Sequence, residues 1–365
     1  MGDQPEHVVP PEDPPKHPML LDWWKSRLDD IETEVKALRR ATVATVATSP
    51  GGLPVYAVFY GGREDFHAQA NYNSAIAAGN AAHYAHKGRD TKTVVFFLGP
   101  VHGQELENIV GTVNLIHILE TGRDHRGKDW GDLKSKADQC RIVVVPCGNP
   151  DGRRRCPYDS FVGLPHLTMT KYGQGTRRDG TLWGWPWVKA VHPMMGEVGI
   201  LGCYFNDDGV NPMHDDFFGS MAAETRAILD IARAEAPDVV VSLHSNEDPP
   251  FLVQTGSVPR VIGRRILELA ERVKARLVRE HLPNGPIHEL IEDDGTKLPG
   301  RYFNLTSAIH HACGAMAFTF ECLHGVLLAD QSEPIVTHEQ ILDIQLCLFD
   351  EILSYALEQR IYWER

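Results

Sequence analysis

A histidine and a glutamate lie three residues apart, directly after a short apolar segment. That segment is Thr93–Leu98, and Gly99 and Pro100 separate it from His102 and Glu105. A run with no polar face predicts a strand buried on both sides, and the apolar positions after it recur at threes and fours, as in a helix. The two residues are therefore expected where a strand ends and a helical turn begins. An imidazole and a carboxylate on one face of such a turn can occupy two corners of a tetrahedral metal site.

Two further apolar segments end in residues of the same types. Asp238–Leu243 precedes His244, and Gly314–Phe320 precedes Glu321. In open α/β sheets, sites are built at the carboxyl ends of the strands. The three strand ends together can therefore supply two histidines and two glutamates to one site. A hydrolytic zinc site needs three protein ligands, an open position for water, and a carboxylate that accepts the proton of that water. The set of residues meets that requirement.

The elements that must position these residues alternate between apolar strands and helices. Such alternation, over a chain of 365 residues, predicts a single α/β domain over 19–365 with a mainly parallel or mixed sheet. A polar, proline-rich arm over 1–18 precedes it and is expected to be flexible. Strands are predicted at Thr42–Thr48, Pro54–Tyr60 and Arg141–Val145; helices at Leu20–Arg40, Asn73–His86, Ala222–Ala236, Ile262–His281, Asn304–His311 and His338–Gln359; and a long irregular segment at Pro157–Asp216.

Composition excludes several classes of partner. The net charge is −13 and no basic patch interleaved with aromatic residues occurs, so nucleic acid is not an expected ligand. No apolar run approaches the length of a membrane span, and the amino terminus lacks the cationic start and apolar core of a signal peptide. The seven cysteines show no Cys-x-x-Cys spacing and are expected to be free thiols in a reducing compartment. These features predict a cytoplasmic protein without a membrane partner.

The chain resembles the zinc carboxypeptidases of the M14 metallopeptidase family. The matching pieces are His102-Gly-Gln-Glu105, Asn149-Pro-Asp-Gly152, His244-Ser245 and the strand ending in Glu321, in the order that the family shows. The resemblance covers about residues 54 to 325. It implies a mixed, mostly parallel twisted sheet of about eight strands with helices on both faces.

The resemblance also implies roles for particular residues. One zinc ion per chain would be held by His102, Glu105 and His244, and Glu321 would be the general base. The family's oxyanion-stabilising arginine would correspond to Arg178 or its neighbour Arg177, since a guanidinium has fixed, always charged donors. The family's mobile tyrosine would correspond to Tyr302.

One family segment differs in this chain. Where typical members have an Asn-Arg pair that binds the terminal carboxylate of the substrate, this chain has Met213 and His214. An imidazole is not a bidentate carboxylate clamp. His214, Arg177 and Arg301 are candidate substrate-binding residues, with Arg301 able to take over carboxylate recognition, as could an arginine of 153–155. The aspartate that orients a ligand histidine in the family aligns with Asn211, and nearby Asp208 is an alternative.

Three functions are compatible with this pattern. The first is zinc-dependent hydrolysis of a peptide or other amide bond. The second is removal of the acyl group from an N-acyl amino acid, as in the succinylglutamate desuccinylase and aspartoacylase branch, which shares the His-Gly-x-Glu start. The third is a catalytically silent binding protein on the same fold, against which the presence of all three ligands and Glu321 argues. The expected substrate is a peptide or an N-acyl amino acid.

Overall fold

A mixed sheet of seven strands lies at the centre of the part of the chain that the structure describes. This computed structural model describes residues 8–10, 12–15, 21–196, 198–289 and 302–364. The strand order across the sheet is β1-β2-β4-β3-β5-β7-β6, with β4, β3, β5 and β7 parallel and the other pairings antiparallel. The strands are β1 (Thr42–Thr48), β2 (Pro54–Tyr60), β3 (Val94–Leu98), β4 (Arg141–Val145), β5 (Val239–Asn246), β6 (Phe251–Val253) and β7 (Met316–Leu323).

Helices cover both faces of this sheet. The helices are α1 (Leu28–Ala37), α2 (Tyr72–Ala77), α3 (Leu106–Thr121), α4 (Gly131–Ala137), α5 (Pro150–Arg155), α6 (His166–Gly173), α7 (Ala223–Glu235), α8 (Arg260–Arg279), α9 (Leu305–Cys313) and α10 (His338–Glu358).

The central strand β3 shows why the sheet is covered on both sides. Its side chains alternate, so that Val95 and Phe97 enter a core shared with α1, α3, α8 and α10, whereas Phe96 and Leu98 enter a core shared with α7 and α9. All five residues of β3 are buried. A strand without a polar face is stable only between two layers of helices, which is the usual setting of parallel strands.

The predicted fold class is confirmed, with differences in detail. The described residues form seven strands rather than about eight, and the short edge strand β6 was not predicted. Helix α1 begins only at Leu28, where the carboxylate of Asp30 accepts the backbone N–H of the preceding residue, Arg27, and Trp24 instead donates its ring N–H to the carbonyl of Asp159. The predicted irregular segment contains α6 and two short 3₁₀ helices, Trp187–Lys189 and Pro212–His214.

The described part of the amino-terminal arm contacts the helix α6. Of the amino-terminal arm, residues 8–10 and 12–15 are described, and Asp13 pairs with Lys171 and Tyr172 of α6. All seven cysteines are buried free thiols. Among the described residues, no helix combines the length and the apolar character that a membrane crossing requires.

Candidate active site

Three adjacent strands carry the residues that the sequence singled out. His102 and Glu105 lie in the turn between β3 and α3, and Glu105 is the residue before the first turn of α3. His244 lies in β5, beside β3, and is paired in register with Glu321 of β7. Because these strands are parallel, their carboxyl ends converge at one edge of the sheet. Strands β5 and β7 extend further than predicted and include His244 and Glu321 themselves.

The turn that holds His102 and Glu105 is fixed by the Asn-Pro-Asp-Gly segment. The side chain of Asn149 caps α5 by accepting the N–H of Gly152, and it also donates to the carbonyl of Val101. Gly103 lies so close to Gly152 that a Cβ atom there would be 2.0 Å from the backbone carbon of Gly152. A side chain cannot fit at this contact, so glycine is required between the two candidate ligands.

The three candidate metal ligands present their coordinating atoms to one point. The Nδ1 atom of His102 is 2.9 Å from one carboxylate oxygen of Glu105, and the Nδ1 atom of His244 is 3.4 Å from the other. One ligand atom from each residue lies within 4.8 Å of the others. All three side chains are buried, with exposed fractions of 2–3 %.

Hydrogen bonds on the far side of each ring determine which nitrogen is free. The Oδ1 atom of Asn211 accepts the N–H of Met213, and lies 3.1 Å from Nε2 of His102. Because an amide oxygen only accepts, Nε2 of His102 must carry its proton, and Nδ1 presents its lone pair to Glu105. In His244, Nε2 lies 3.1 Å from the hydroxyl of Ser242, which allows the same tautomer. Asn211, and not Asp208, is thus the residue that orients a candidate ligand.

The charges of this cluster fit a bound cation. Burial lowers the pKa of His102 to about 4 and the pKa of His244 to about 3, so both rings are neutral at physiological pH. Burial raises the pKa of Glu105, and its Oε2 atom has no hydrogen-bond partner. A buried carboxylate whose two oxygens each face the lone pair of a ring nitrogen is unfavourable unless a cation lies between them. The residues present therefore fit a metal ion.

Comparison with known proteins gives the same architecture. No protein-family model matches the sequence, and no curated protein matches it. Among solved structures, a metallo-carboxypeptidase from Burkholderia cenocepacia is similar with a TM-score of 0.56 and 16% identity, over 91% of this chain and 70% of that one. The metallo-carboxypeptidase from Pseudomonas aeruginosa in complex with (2-guanidinoethylmercapto)succinic acid has a TM-score of 0.54 and 14% identity, covering 90% and 68%. Bovine thrombin-activatable fibrinolysis inhibitor, in complex with tick carboxypeptidase inhibitor, has a TM-score of 0.54 and 11% identity, covering 92% and 99%.

This chain has the metallo-carboxypeptidase fold. The similarity confirms the predicted resemblance at the level of architecture.

In this carboxypeptidase fold, Glu321 and the three candidate ligands line a cleft of about 860 Å³. Burial, reinforced by the nearby charge of Glu105, raises the pKa of Glu321 to about 8. Its carboxyl is therefore close to the protonation boundary that proton transfer near neutral pH requires.

The cleft contains only some of the predicted substrate-binding residues. Tyr302 and His214 line it, and Tyr302 is 47% exposed. Arg177 lies instead against the ring of Trp183 and donates to the carbonyl of Leu182. The exposed Arg178 is likewise absent from the described lining of the cleft. Arg301 lies outside the described residues.

The arginines of α5 are engaged elsewhere. Arg153 donates to the carbonyl of Ser26 and pairs with Asp159, and Arg154 and Arg155 both pair with Asp207. The predicted alternative, in which one of these three residues binds a substrate carboxylate, has no support in their placement.

Sequence reasoning missed a positively charged residue of the cleft. Lys189 is the one lysine or arginine among the described residues that line it. Burial lowers the pKa of Lys189, whereas the carboxylate of Glu321 acts to raise it. It follows a tryptophan-rich stretch of the irregular segment, where no periodicity or motif identified it.

Two supporting contacts beneath the ligands were also missed. The ring of Tyr204 stacks on the ring of His102, with centroids 3.6 Å apart. His324 pairs with Glu107 at 2.9 Å, and this carboxylate raises the pKa of His324 against the opposing effect of burial. The spacing offered a weak signal for the pair, because Glu107 and His324 follow Glu105 and Glu321 by two and three residues.

Proposed function

We propose that this protein is a zinc-dependent hydrolase of amide or peptide bonds. The observation that carries the proposal is the buried carboxylate of Glu105, whose two oxygens face the Nδ1 atoms of His102 and His244. Two histidines and one glutamate match the ligand set of carboxypeptidase A, which leaves one position open. Each chain would hold one zinc ion.

The residues around the proposed ion have separable tasks. When bound, zinc supplies a Lewis acid that lowers the pKa of water and polarises a carbonyl oxygen. Glu321, in register beside His244, accepts the proton of the attacking water. It then delivers that proton to the leaving nitrogen, so that one carboxyl acts as base and as acid. Asn211 keeps His102 in the tautomer that can coordinate.

Substrate recognition in this proposal depends on the positive charge of Lys189. The cleft-lining cation Lys189 is suited to an anionic group of the substrate, either a carboxylate or the developing oxyanion. A peptide with a free carboxyl terminus and an N-acyl amino acid both present such a group. Tyr302 and His214 are proposed to contact the rest of the substrate, because they line the same cleft. The predicted role of Arg178 at the oxyanion thereby passes to Lys189.

The decisive experiment combines one variant with a substrate panel. Zinc-loaded protein is assayed against short peptides with free and amidated carboxyl termini and against N-acyl amino acids. Glu321→Gln should reduce kcat at least about 10³-fold while the zinc content stays at the wild-type value, because Gln cannot transfer the proton. Glu247→Gln, which changes an exposed carboxylate of the same cleft, is the matched control.

The outcomes separate the candidate functions. Turnover of peptides supports a peptidase, and turnover confined to N-acyl amino acids supports the deacylase. Binding without turnover of any substrate in the wild-type protein supports the silent binding protein. If Glu321→Gln turns over substrate at the wild-type rate, the proposed mechanism is wrong.

A further inference from the structure

A second cluster of two histidines and one glutamate lies outside the cleft. Glu34 belongs to α1, His117 to α3, and His125 to the loop that follows α3. The Nδ1 atom of His117 is 3.0 Å from Oε1 of Glu34, and the Nε2 atom of His125 is 3.1 Å from Oε2. One ligand atom from each residue lies within 4.8 Å of the others. Three separate segments of chain therefore converge on one carboxylate.

The arrangement of this outer cluster parallels that of the cleft. In both, each carboxylate oxygen faces one ring nitrogen from a different segment. The rings of His117 and His125 stack with centroids 3.9 Å apart, so both present an edge to Glu34. The Nε2 atom of His125 is buried, and its contact with Glu34 is not aligned as a hydrogen bond. A donor atom that faces a carboxylate without bonding to it is available to a cation.

The cluster is also held in place and accessible. The backbone N–H of His125 donates to Oδ1 of Asn114, which fixes the loop against α3. The side chains of Glu34, His117 and His125 are 13%, 29% and 17% exposed. This exposure gives an ion a path of entry and leaves room for water to complete a tetrahedral shell.

We propose that Glu34, His117 and His125 form a second metal site, which binds a divalent transition ion such as zinc. Two imidazoles and one carboxylate suit Zn²⁺ and its neighbours, whereas Ca²⁺ and Mg²⁺ prefer oxygen ligands. The site would join α1 to α3, the helix that begins directly after Glu105. Its expected effect is on stability, because an ion that binds only the folded state raises the unfolding temperature. It does not depend on the hydrolytic function proposed above.

Metal content measured on five proteins tests this site. Each protein is stripped with chelator, reloaded with Zn²⁺, dialysed at pH 7.5 and analysed for zinc per chain. The wild type should hold two ions, His244→Ala one and Glu34→Gln one. Glu32→Gln alters a neighbouring glutamate of α1 that pairs with Lys36, and it should hold two. His125→Asn is the second variant of the site and should also hold one.

Thermal unfolding with and without Zn²⁺ supplies a readout other than stoichiometry. In the His244→Ala background, added Zn²⁺ should raise the unfolding temperature by several degrees, and Glu34→Gln in that background should remove the rise. If Glu34→Gln and His125→Asn hold as much zinc as the wild type, the cluster is only a set of ion pairs and the proposal is overturned. If His244→Ala alone keeps the wild-type zinc content, the ligand assignment in the cleft fails instead.

Discussion

Two clusters of two histidines and one glutamate lie in this molecule, and their surroundings shift the pKa of the glutamate in opposite directions. The inner cluster, His102, Glu105 and His244, is almost wholly buried, and burial raises the pKa of Glu105. In the outer cluster, burial also acts to raise the pKa of Glu34. The contacts of Glu34 with His125 and His117 outweigh it, however, so the pKa is lowered. The neighbouring imidazoles therefore favour the charged carboxylate in the outer cluster, whereas burial disfavours the charged carboxylate of the inner cluster unless a cation lies beside it.

Position determines what each cluster can do with a metal. The inner cluster opens on a cleft and has Glu321 in register beside it, so a bound water has a proton acceptor. The outer cluster lies between two helices and a loop, where three anchored ligands join separate segments of chain. The same set of ligands therefore predicts a catalytic role for the inner cluster at the strand ends. It predicts a structural role for the outer cluster, where a metal ion would join the two helices. The predictions below test that division.

Removing one histidine from each cluster should have the most unequal effect. His244→Ala removes a ligand of the proposed catalytic ion, so kcat/KM should fall at least about 10³-fold, equivalent to about 4 kcal/mol of transition-state stabilisation. His125→Ala should leave kcat/KM within about threefold and lower the unfolding temperature in Zn²⁺. Steady-state kinetics and thermal melts of both variants measure this difference. Equal losses of activity in the two variants would remove the distinction between a catalytic and a structural cluster.

A third buried carboxylate shows what burial does without a neighbouring cation. Glu224 of α7 accepts one hydrogen bond, from Asn206, and its Oε2 atom has no hydrogen-bond partner. Burial, reinforced by Asp151 and Asp215, raises its pKa from 4.5 to about 7. The folded state therefore favours the protonated acid, so this group lowers the stability of the fold as pH rises from about 4.5 to about 7, and the loss levels off at higher pH.

Glu224→Gln should relieve this penalty. The shift corresponds to about 3 kcal/mol at pH 8 and less than about 1 kcal/mol at pH 5, so the variant should gain stability mainly at high pH. Chemical denaturation at the two pH values measures it. The control is Glu235→Gln in the same helix, where Arg141 makes a bidentate pair with the glutamate. That variant should be destabilised at both pH values. A gain from Glu224→Gln that is equal at pH 5 and pH 8 would contradict the assigned ionisation.

The sequence predicted the inner cluster, together with Glu321, because each of these residues follows an apolar strand. His102, Glu105, His244 and Glu321 follow runs whose burial could be read from composition, and parallel strands must end together. The helices and strands with strong periodicity were predicted for the same reason, and β1, β2 and β4 have the predicted bounds. The local hydrophobic pattern was therefore enough to predict those site residues whose place at the end of a strand also determines where they lie in the sheet.

The remaining residues depend on contacts between distant segments. Lys189 comes from a segment without periodicity, so nothing in the sequence indicated that it enters the cleft. Glu34 and His117 are 83 residues apart on two different helices, and each is an ordinary polar position on its own helix. Only the packing of α1 against α3 brings them together. The sequence-based assignment of substrate contacts to arginines could not anticipate that Arg153 and Arg177 would be engaged by backbone carbonyls.

The role of the single cation in the cleft can be resolved by kinetics. Lys189→Met should reduce kcat/KM about 10- to 100-fold for a substrate with a free carboxylate, the usual scale for losing one charged contact. A contact to the carboxylate is made in the ground state and the transition state alike, so its loss raises KM, whereas loss of an oxyanion contact lowers kcat. Lys189→Arg should restore part of the activity in either case, because the charge is kept. Lys171→Met, which removes a lysine paired with Asp13, should leave both constants unchanged. If Lys189→Met behaves like Lys171→Met on every substrate of the panel, recognition of the substrate by the charge of Lys189 is excluded. The general base Glu321 would then be the feature that distinguishes the inner cluster from the outer one.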